Sequence, residues 1–154
     1  MKTLKKTQVS NDVLVKDMNE FLADLQIYYQ NLRGFHWNVK GSLFFVLHAK
    51  FEEYYNEVSE RADEVAERIL TIGGQPLHAF SQYLAVAEIP EVTDVHEGRK
   101  AVELVIQQSE ILLKKMNALK DTAATIDDEA STTLFSDMIG ETEKQIWMLK
   151  TFLS

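Results

Sequence analysis

Four long stretches of the sequence repeat apolar residues at steps of three and four, the spacing that places side chains on one face of an α-helix. The first predicted helix covers residues 11–38 and the second about 43–72. A third starts near residues 93–94 and a fourth near Asp127. Because only two prolines interrupt 154 residues, helices of this length are possible, and the sequence predicts an all-α fold.

The connections set the arrangement of these helices. Residues 39–42 form a short first break, and the run 73–76, Gly-Gly-Gln-Pro, stops the second helix with a glycine cap and a proline. The next connection, residues 77–90, is long and includes FSQYLAVAEI, which predicts a short extra helix. Asp94 and Glu97 have capping-box spacing at the start of the third long helix. Four helices with one long crossover between the second and third describe a ferritin-like bundle.

Length, charge and composition narrow the class of protein. The chain is one domain's worth of sequence, with residues 1–10 expected to form a mobile tail. A net charge of −8 disfavours a nucleic-acid footprint and suits cationic partners, metal ions included. The lack of cysteine excludes a thiolate metal site, and no apolar run approaches the length of a membrane span. We therefore expect a soluble, cytoplasmic protein.

The second predicted helix carries an unusual set of polar residues. At about 100° per residue, Glu52, Asp63 and Glu67 lie roughly 40–100° from His48, in a lane beside the apolar face. Imidazole nitrogens with carboxylate oxygens suit iron, manganese or zinc, and carboxylate-rich sets favour iron. A further acidic lane lies on the side away from the core and consists of Glu53, Glu57, Glu60 and Glu64.

The spacing excludes a site within one chain. His48 and Asp63 are 15 positions apart, which is about 22 Å along a helix. The Glu-x-x-His pattern of di-iron bundles is absent from the sequence. Two copies of the helix packed antiparallel about residues 55–56 would instead bring His48 of one chain to Asp63 and Glu67 of the other, with His36 completing the histidine side.

A simpler interpretation stays open on the periodicity alone. A lone histidine near an apolar edge is often structural, and carboxylates on a helix exterior are often only solvated. The pairs Glu57–Arg61 and Glu64–Arg68 also have the i,i+4 spacing of surface ion pairs.

The stretch from residue 36 to residue 76 carries a distinctive set of motifs: His36-Trp37, Gly41, Phe45, Leu47-His48, Phe51-Glu52, Tyr55, Asp63, Ala66-Glu67-Arg68 and Gly73-Gly74-Gln75-Pro76. In these motifs the chain resembles the Dps mini-ferritins, the DNA-protecting-during-starvation proteins and their non-DNA-binding relatives. The resemblance implies a ferritin-like bundle assembled as a hollow homododecamer, with ferroxidase sites shared between two-fold related chains.

The resemblance also implies the ligands. His36 and His48 match the family's ligands from one subunit, and Asp63 and Glu67 match those from its partner. Glu52 matches a carboxylate one turn after the second histidine, which is Asp in many relatives, so it binds iron directly or through water.

The implied chemistry is oxidation of Fe(II), preferentially by hydrogen peroxide, at a di-iron or mono-iron site, with Fe(III) mineral stored in the shell as protection against oxidative damage. No haem is expected. Trp37 either captures a stray oxidising equivalent or serves as a packing aromatic.

The lane Glu53, Glu57, Glu60 and Glu64 is a candidate for mineral nucleation. In the family the third-to-fourth helix turn borders three-fold pores, and here it carries Asp121, Asp127, Asp128 and Glu129, with Asp127 or Asp128 also able to cap a helix.

Two other functions compete with this one. The first is a DNA-binding, nucleoid-compacting protein with secondary iron binding. Only Lys2, Lys5 and Lys6 stand in the N-terminal tail against a net charge of −8, so we expect DNA binding to be weak. The second is a metal-free helical shell.

Overall fold

The structure is a computed structural model that describes residues 2–154, with side chains described from residue 11 onward. Within this range the chain forms five helices. The first helix begins at Lys2 rather than at the predicted residue 11. The side chains of the predicted mobile tail, residues 1–10, lie outside the described ones. Four long helices form the bundle, and a short one lies in the crossover, as predicted. The helices are α1 (Lys2–Asn38), α2 (Phe44–Thr71), α3 (Phe80–Val86), α4 (Gly98–Thr125) and α5 (Glu129–Leu153).

The core lies where the apolar stripes of the four long helices meet. Helix α1 packs mainly against α2, and α4 against α5. Phe21 of α1 meets Phe135 of α5 edge to face at 5.9 Å, and both rings are fully buried. Burying each such side chain away from water stabilises the folded state by about 1.5–3 kcal/mol. The predicted core face of α2 is confirmed by its buried residues Leu47, Phe51, Tyr54, Val58, Ala62, Val65 and Ile69.

Helix α2 ends in a Schellman motif, which confirms the predicted glycine stop. Gly73 has a φ of +92°, the left-handed conformation that glycine adopts without strain. Its N–H donates to Leu70 O at 3.0 Å, and the Gly74 N–H donates to Ile69 O at 2.8 Å.

Helix α4 ends in the same motif with an aspartate in the left-handed position. Asp127 has a φ of +60°, and the Asp128 N–H donates to Ala123 O at 2.9 Å. The Asp128 carboxylate then caps α5 by accepting from Ser131 N at 3.0 Å. Of the two predicted capping residues, Asp128 is the one that caps.

The predicted capping box at the start of α4 is wrong. The helix begins at Gly98, after Glu97, whose side chain makes no capping hydrogen bond, and Asp94 has a φ of +59°. Lys40 N donates to His96 O at 2.8 Å, and Lys40 forms a parallel bridge with Glu97. Glu97 is extended and paired with the α1–α2 connection, so α4 begins at the next residue, Gly98.

A row of polar side chains on α1 fastens the long crossover. Asp24 is fully buried and accepts from Glu88 N at 2.7 Å, Ile89 N at 2.8 Å and the ammonium group of Lys115. Asn19 and Asn31 hold other points of the same segment through their side-chain amides. These bonds fix α3 against α1.

Across the part of the chain that the structure covers, no helix has the length and apolarity needed to cross a membrane.

Candidate metal centre

Two histidines face each other where α1 ends and α2 begins. The rings of His36 and His48 stack with centroids 3.8 Å apart and planes 11° apart. His36 Nδ1 lies 2.6 Å from His48 O, and His48 Nδ1 lies 2.8 Å from His36 O. Because a carbonyl only accepts, both Nδ1 atoms carry a proton, so in each neutral ring the Nε2 lone pair is free to bind a metal.

The surrounding residues hold this pair in place. The Phe44 ring stacks on His48 at 4.8 Å, one helical turn before it in α2. His36 is only 7% exposed, whereas His48 is half-buried. The rings are thus oriented before any metal arrives, which lowers the cost of ordering them on binding.

Tyr55 contacts both the histidine pair and the carboxylate of Glu52. Its ring meets His36 edge to face at 5.4 Å, and its hydroxyl donates to Glu52 Oε1 at 3.5 Å. Glu52 is exposed and so is available to a ligand. Partial burial and the Glu52 carboxylate raise the pKa of the Tyr55 phenol, which keeps its proton at neutral pH. The structure therefore groups His36, His48 and Glu52 at one end of α2.

Trp37 points away from the pair. Its side chain is 54% exposed, and the guanidinium carbon of Arg33 lies 4.7 Å from its ring centroid. The same guanidinium lies 5.5 Å from the Tyr29 ring and 5.9 Å from the Tyr55 ring. Neither Tyr29 nor Arg33 was predicted to lie near the site, and Tyr55 was predicted only as part of the family motif. The spacings 29, 33, 36 on α1 and 48, 52, 55 on α2 were the signal that could have found them.

Asp63 and Glu67 lie apart from this group. Both side chains are exposed, further along α2. Among the residues with described side chains, no three His, Asp or Glu come together closely enough to hold one metal ion. The structure thus divides the predicted ligand set as the helical spacing requires.

The arginines of α2 pair across helices, not along their own helix. Arg61 donates to Glu141 at 3.0 Å and to Thr142 at 3.1 Å. Arg68 donates to Asp128 at 2.8 Å and to Ser131 at 2.9 Å. The i,i+4 pairs considered from the sequence, Glu57–Arg61 and Glu64–Arg68, are therefore replaced by contacts with α5 and the turn before it.

The second acidic lane is not uniform. Glu57 is partly buried and accepts from Gln145 Nε2 at 2.5 Å, and burial raises the pKa of its carboxyl group. The other three residues of the lane are exposed, namely Glu53, Glu60 and Glu64. Glu57 is thus committed to helix packing, and the remaining carboxylates are open to solvent.

Two grooves adjoin Tyr29 of α1. One, of about 620 Å³, runs beside Asp63 and Tyr29. The other, of about 670 Å³, lies between α1 and the crossover and is lined by Tyr29, Trp37, Phe80 and Leu84. Phe80 is 81% exposed and Leu84 51%. Large apolar side chains this open are typical of an interaction surface.

Known proteins similar to this chain share its fold and its length. The model of the ferritin-like domain family matches residues 15–154. A DNA protection during starvation protein of Porphyromonas gingivalis is 41% identical over 149 residues, covering 97% of this chain and 92% of the relative. A crystal structure of a Dps protein from Vibrio cholerae O1, described as a member of a broad superfamily of ferritin-like diiron-carboxylate proteins, superposes with a TM-score of 0.93 at 42% identity, covering 95% of this chain and 92% of that one. A Dps protein from Bacillus brevis gives a TM-score of 0.92 at 35% identity, covering 95% and 98%.

Proposed function

The chain belongs to the Dps family of mini-ferritins, and from this we propose that it oxidises Fe(II) with hydrogen peroxide at sites shared by two copies of the chain. The Fe(III) product is then stored inside a hollow shell of twelve copies, which protects the cell from oxidative damage. Family membership supports iron storage and protection in general. The expected cytoplasmic location stays a prediction.

The observation that carries the proposal is that the predicted ligands are divided between the two ends of α2. His36 and His48 present two free Nε2 atoms at one end, and Asp63 and Glu67 stand exposed toward the other. Neither group by itself makes a metal site. Nitrogen donors facing carboxylate donors suit iron, which enters here as the substrate, one or two ions at a time.

A second copy of the chain supplies the missing half. An antiparallel, two-fold pairing of α2 with its copy brings the histidine end of each chain to the acidic end of the other and makes two equal sites. The open apolar side chains Phe80 and Leu84 line a groove together with Tyr29, which also lines the groove beside Asp63. Burying these side chains against the partner stabilises the pair.

The donor types fit the reaction. The imidazoles hold the incoming Fe(II), whereas Asp63, Glu67 and Glu52 stabilise Fe(III) more than Fe(II) and so favour the oxidised product. Two Fe(II) ions give two electrons to one peroxide, which with two protons becomes two water molecules, so no hydroxyl radical is released. Trp37 is retained as a candidate for capturing a stray oxidising equivalent.

Storage and entry of iron involve the other carboxylates. Exposed Glu53, Glu60 and Glu64 are candidates for mineral nucleation. Glu57 is less suited because its carboxylate already accepts a hydrogen bond from Gln145. Asp121, Asp127 and Glu129 are exposed near the α4–α5 turn and are candidates for attracting Fe(II), whereas Asp128 is held by Arg68.

Subunit mixing tests the shared site directly. His36→Ala and Asp63→Ala variants each lose accelerated Fe(II) oxidation by peroxide in stopped-flow absorbance, and an exposed control on α4, Glu103→Ala, keeps it. When the two inactive variants are unfolded, mixed and reassembled, half of the pairs are mixed and each regains one intact site, so about a quarter of the sites return. No recovery on mixing, with each variant well assembled, contradicts the shared site. No accelerated oxidation by the unaltered protein contradicts the function itself.

A further inference from the structure

Tyr55, rather than Trp37, is the redox-capable ring in contact with the histidine pair. Its centroid lies 5.4 Å from that of His36, with the rings at 79°. Trp37 follows His36 in the sequence but is largely exposed and lies beneath Arg33. Since electron transfer slows steeply with distance, an oxidant formed at the pair meets Tyr55 first.

The phenol of Tyr55 has an acceptor for its proton. Its hydroxyl donates to Glu52 Oε1 at 3.5 Å. A phenol that loses an electron becomes a very strong acid, so its oxidation at neutral pH requires the proton to leave as well. The Glu52 carboxylate is placed to take it when Glu52 holds iron through water rather than directly.

A second tyrosine and a cation adjoin this ring. Tyr29 meets Tyr55 edge to face at 5.7 Å, and the Arg33 guanidinium lies within 6 Å of both ring centroids. The nearby positive charge disfavours a ring that has lost an electron but kept its proton. The cluster therefore favours a neutral tyrosyl radical.

We propose that Tyr55 supplies one electron during iron oxidation and passes its proton to Glu52, so that a site holding a single Fe(II) still completes the reduction of peroxide. The proposal rests on the proposed function. It adds a catalytic role for Tyr55, and the species that Tyr55 reduces is a one-electron oxidant, the hydroxyl radical.

The steps balance. One Fe(II) and one peroxide give Fe(III), a hydroxide and a hydroxyl radical. Tyr55 gives an electron to the hydroxyl radical, which becomes a second hydroxide, and its proton moves to Glu52, leaving the neutral tyrosyl radical. A second Fe(II) then returns the electron, and Glu52 returns the proton. In sum, two Fe(II) are oxidised, one peroxide becomes two hydroxides, and both side chains are regenerated.

The experiment uses assembled protein loaded anaerobically with one Fe(II) per site, mixed with peroxide and freeze-quenched for electron paramagnetic resonance. The unaltered protein gives a tyrosyl signal, and ring-deuterated tyrosine narrows its lines without any mutation. In Tyr55→Phe the signal is lost, and hydroxyl radical caught by a spin trap rises severalfold. When a second Fe(II) per site is added after the peroxide, the unaltered protein oxidises two irons per peroxide, whereas Tyr55→Phe oxidises closer to one.

The matched control is the neighbouring Tyr54→Phe, whose ring is buried in the core. It keeps the signal and the low level of trapped radical, and Trp37→Phe keeps the tyrosyl signal too. A signal that persists in Tyr55→Phe, that is lost in Trp37→Phe, or that never forms although Fe(II) is oxidised, overturns this inference alone. A wild-type protein that does not oxidise Fe(II) with peroxide overturns the proposed function and this inference with it.

Discussion

His36 and His48 each donate a ring proton to the backbone carbonyl of the other, with Nδ1 to O distances of 2.6 and 2.8 Å. The acceptors are main-chain atoms, so neither bond depends on the other imidazole. The connection between α1 and α2 therefore sets the tautomer of both rings.

Removing one imidazole should leave the tautomer of the other unchanged. In His36→Ala, His48 Nδ1 still faces His36 O because the carbonyl belongs to the backbone. Long-range proton–nitrogen correlation spectra should show the Nδ1–H form of His48 in this variant, as in the unaltered chain. A switch of His48 to the Nε2–H form would show that the ring stack, not the carbonyl, controls it.

A side chain at Gly98 should destabilise the protein. An added Cβ would lie 2.7 Å from Leu47 Cδ1 and 3.3 Å from Leu43 Cδ1, next to the turn that carries His48. Gly98→Ala should therefore cost about 1–3 kcal/mol in the free energy of unfolding, measured with denaturant.

Gly140 provides the matched control, because a Cβ there meets nothing within 4 Å of the chain. Gly140→Ala should gain about 0.5–1 kcal/mol from helix propensity, provided that assembly is unaffected. Equal effects of the two substitutions would contradict the packing argument at Gly98.

Loss of the Asp24 carboxylate should loosen the crossover. Asp24→Ala removes the acceptor of Glu88 N and Ile89 N and leaves Lys115, which is mostly buried, without its fully buried partner. We expect a loss of about 3–5 kcal/mol in the free energy of unfolding. Amide hydrogen exchange should rise first at residues 88 and 89. A uniform rise along the chain, with those two amides no faster than the rest, would contradict a local clamp.

Stability should fall in acid partly through Asp128. Although burial opposes its ionisation, hydrogen bonds from Ser131 and the Arg68 guanidinium hold the pKa of Asp128 below the usual 3.8. The native carboxylate thus binds its proton more weakly than the unfolded one, so its contribution is full above about pH 5 and is lost as the pH falls through the native pKa.

Asp128→Asn measures this contribution while keeping a capping side chain. The difference in unfolding free energy between the two proteins should be about 1.5 kcal/mol at neutral pH and shrink below about pH 4. A difference that stays constant down to pH 2 would show that the charge of Asp128 does not contribute.

DNA binding should be weak. The chain carries a net charge of −8, and phosphate neutralisation needs cations. A gel shift at about 150 mM salt should leave DNA free. Retention of DNA under those conditions, and its loss when Lys2, Lys5 and Lys6 are replaced by Gln, would favour the nucleoid-compacting alternative.

The sequence alone determined the number and order of the long helices and the separation of His48 from Asp63, although the first and third long helices begin at other residues than predicted. Helix periodicity depends on local spacing, so the four long helices, the Gly73 stop and the buried face of α2 could be read directly. The 15 positions between His48 and Asp63 likewise fix a distance along any helix, whatever surrounds it. Asp63 and Glu67 as ligands, and the partner chain that would complete them, stay predictions.

Tertiary structure decided what depends on contacts between distant segments. The predicted capping box of Asp94 and Glu97 does not form, because Glu97 pairs with Lys40 and α4 begins only after it. The arginines of α2 pair with α5 and the turn before it rather than along their own helix. The histidine tautomers follow from a carbonyl 12 residues away, and the choice of Tyr55 over Trp37 beside His36 follows from how α1 and α2 pack. Periodicity predicts which face of a helix a residue occupies, but the atoms that its side chain contacts depend on how the neighbouring helix packs against that face.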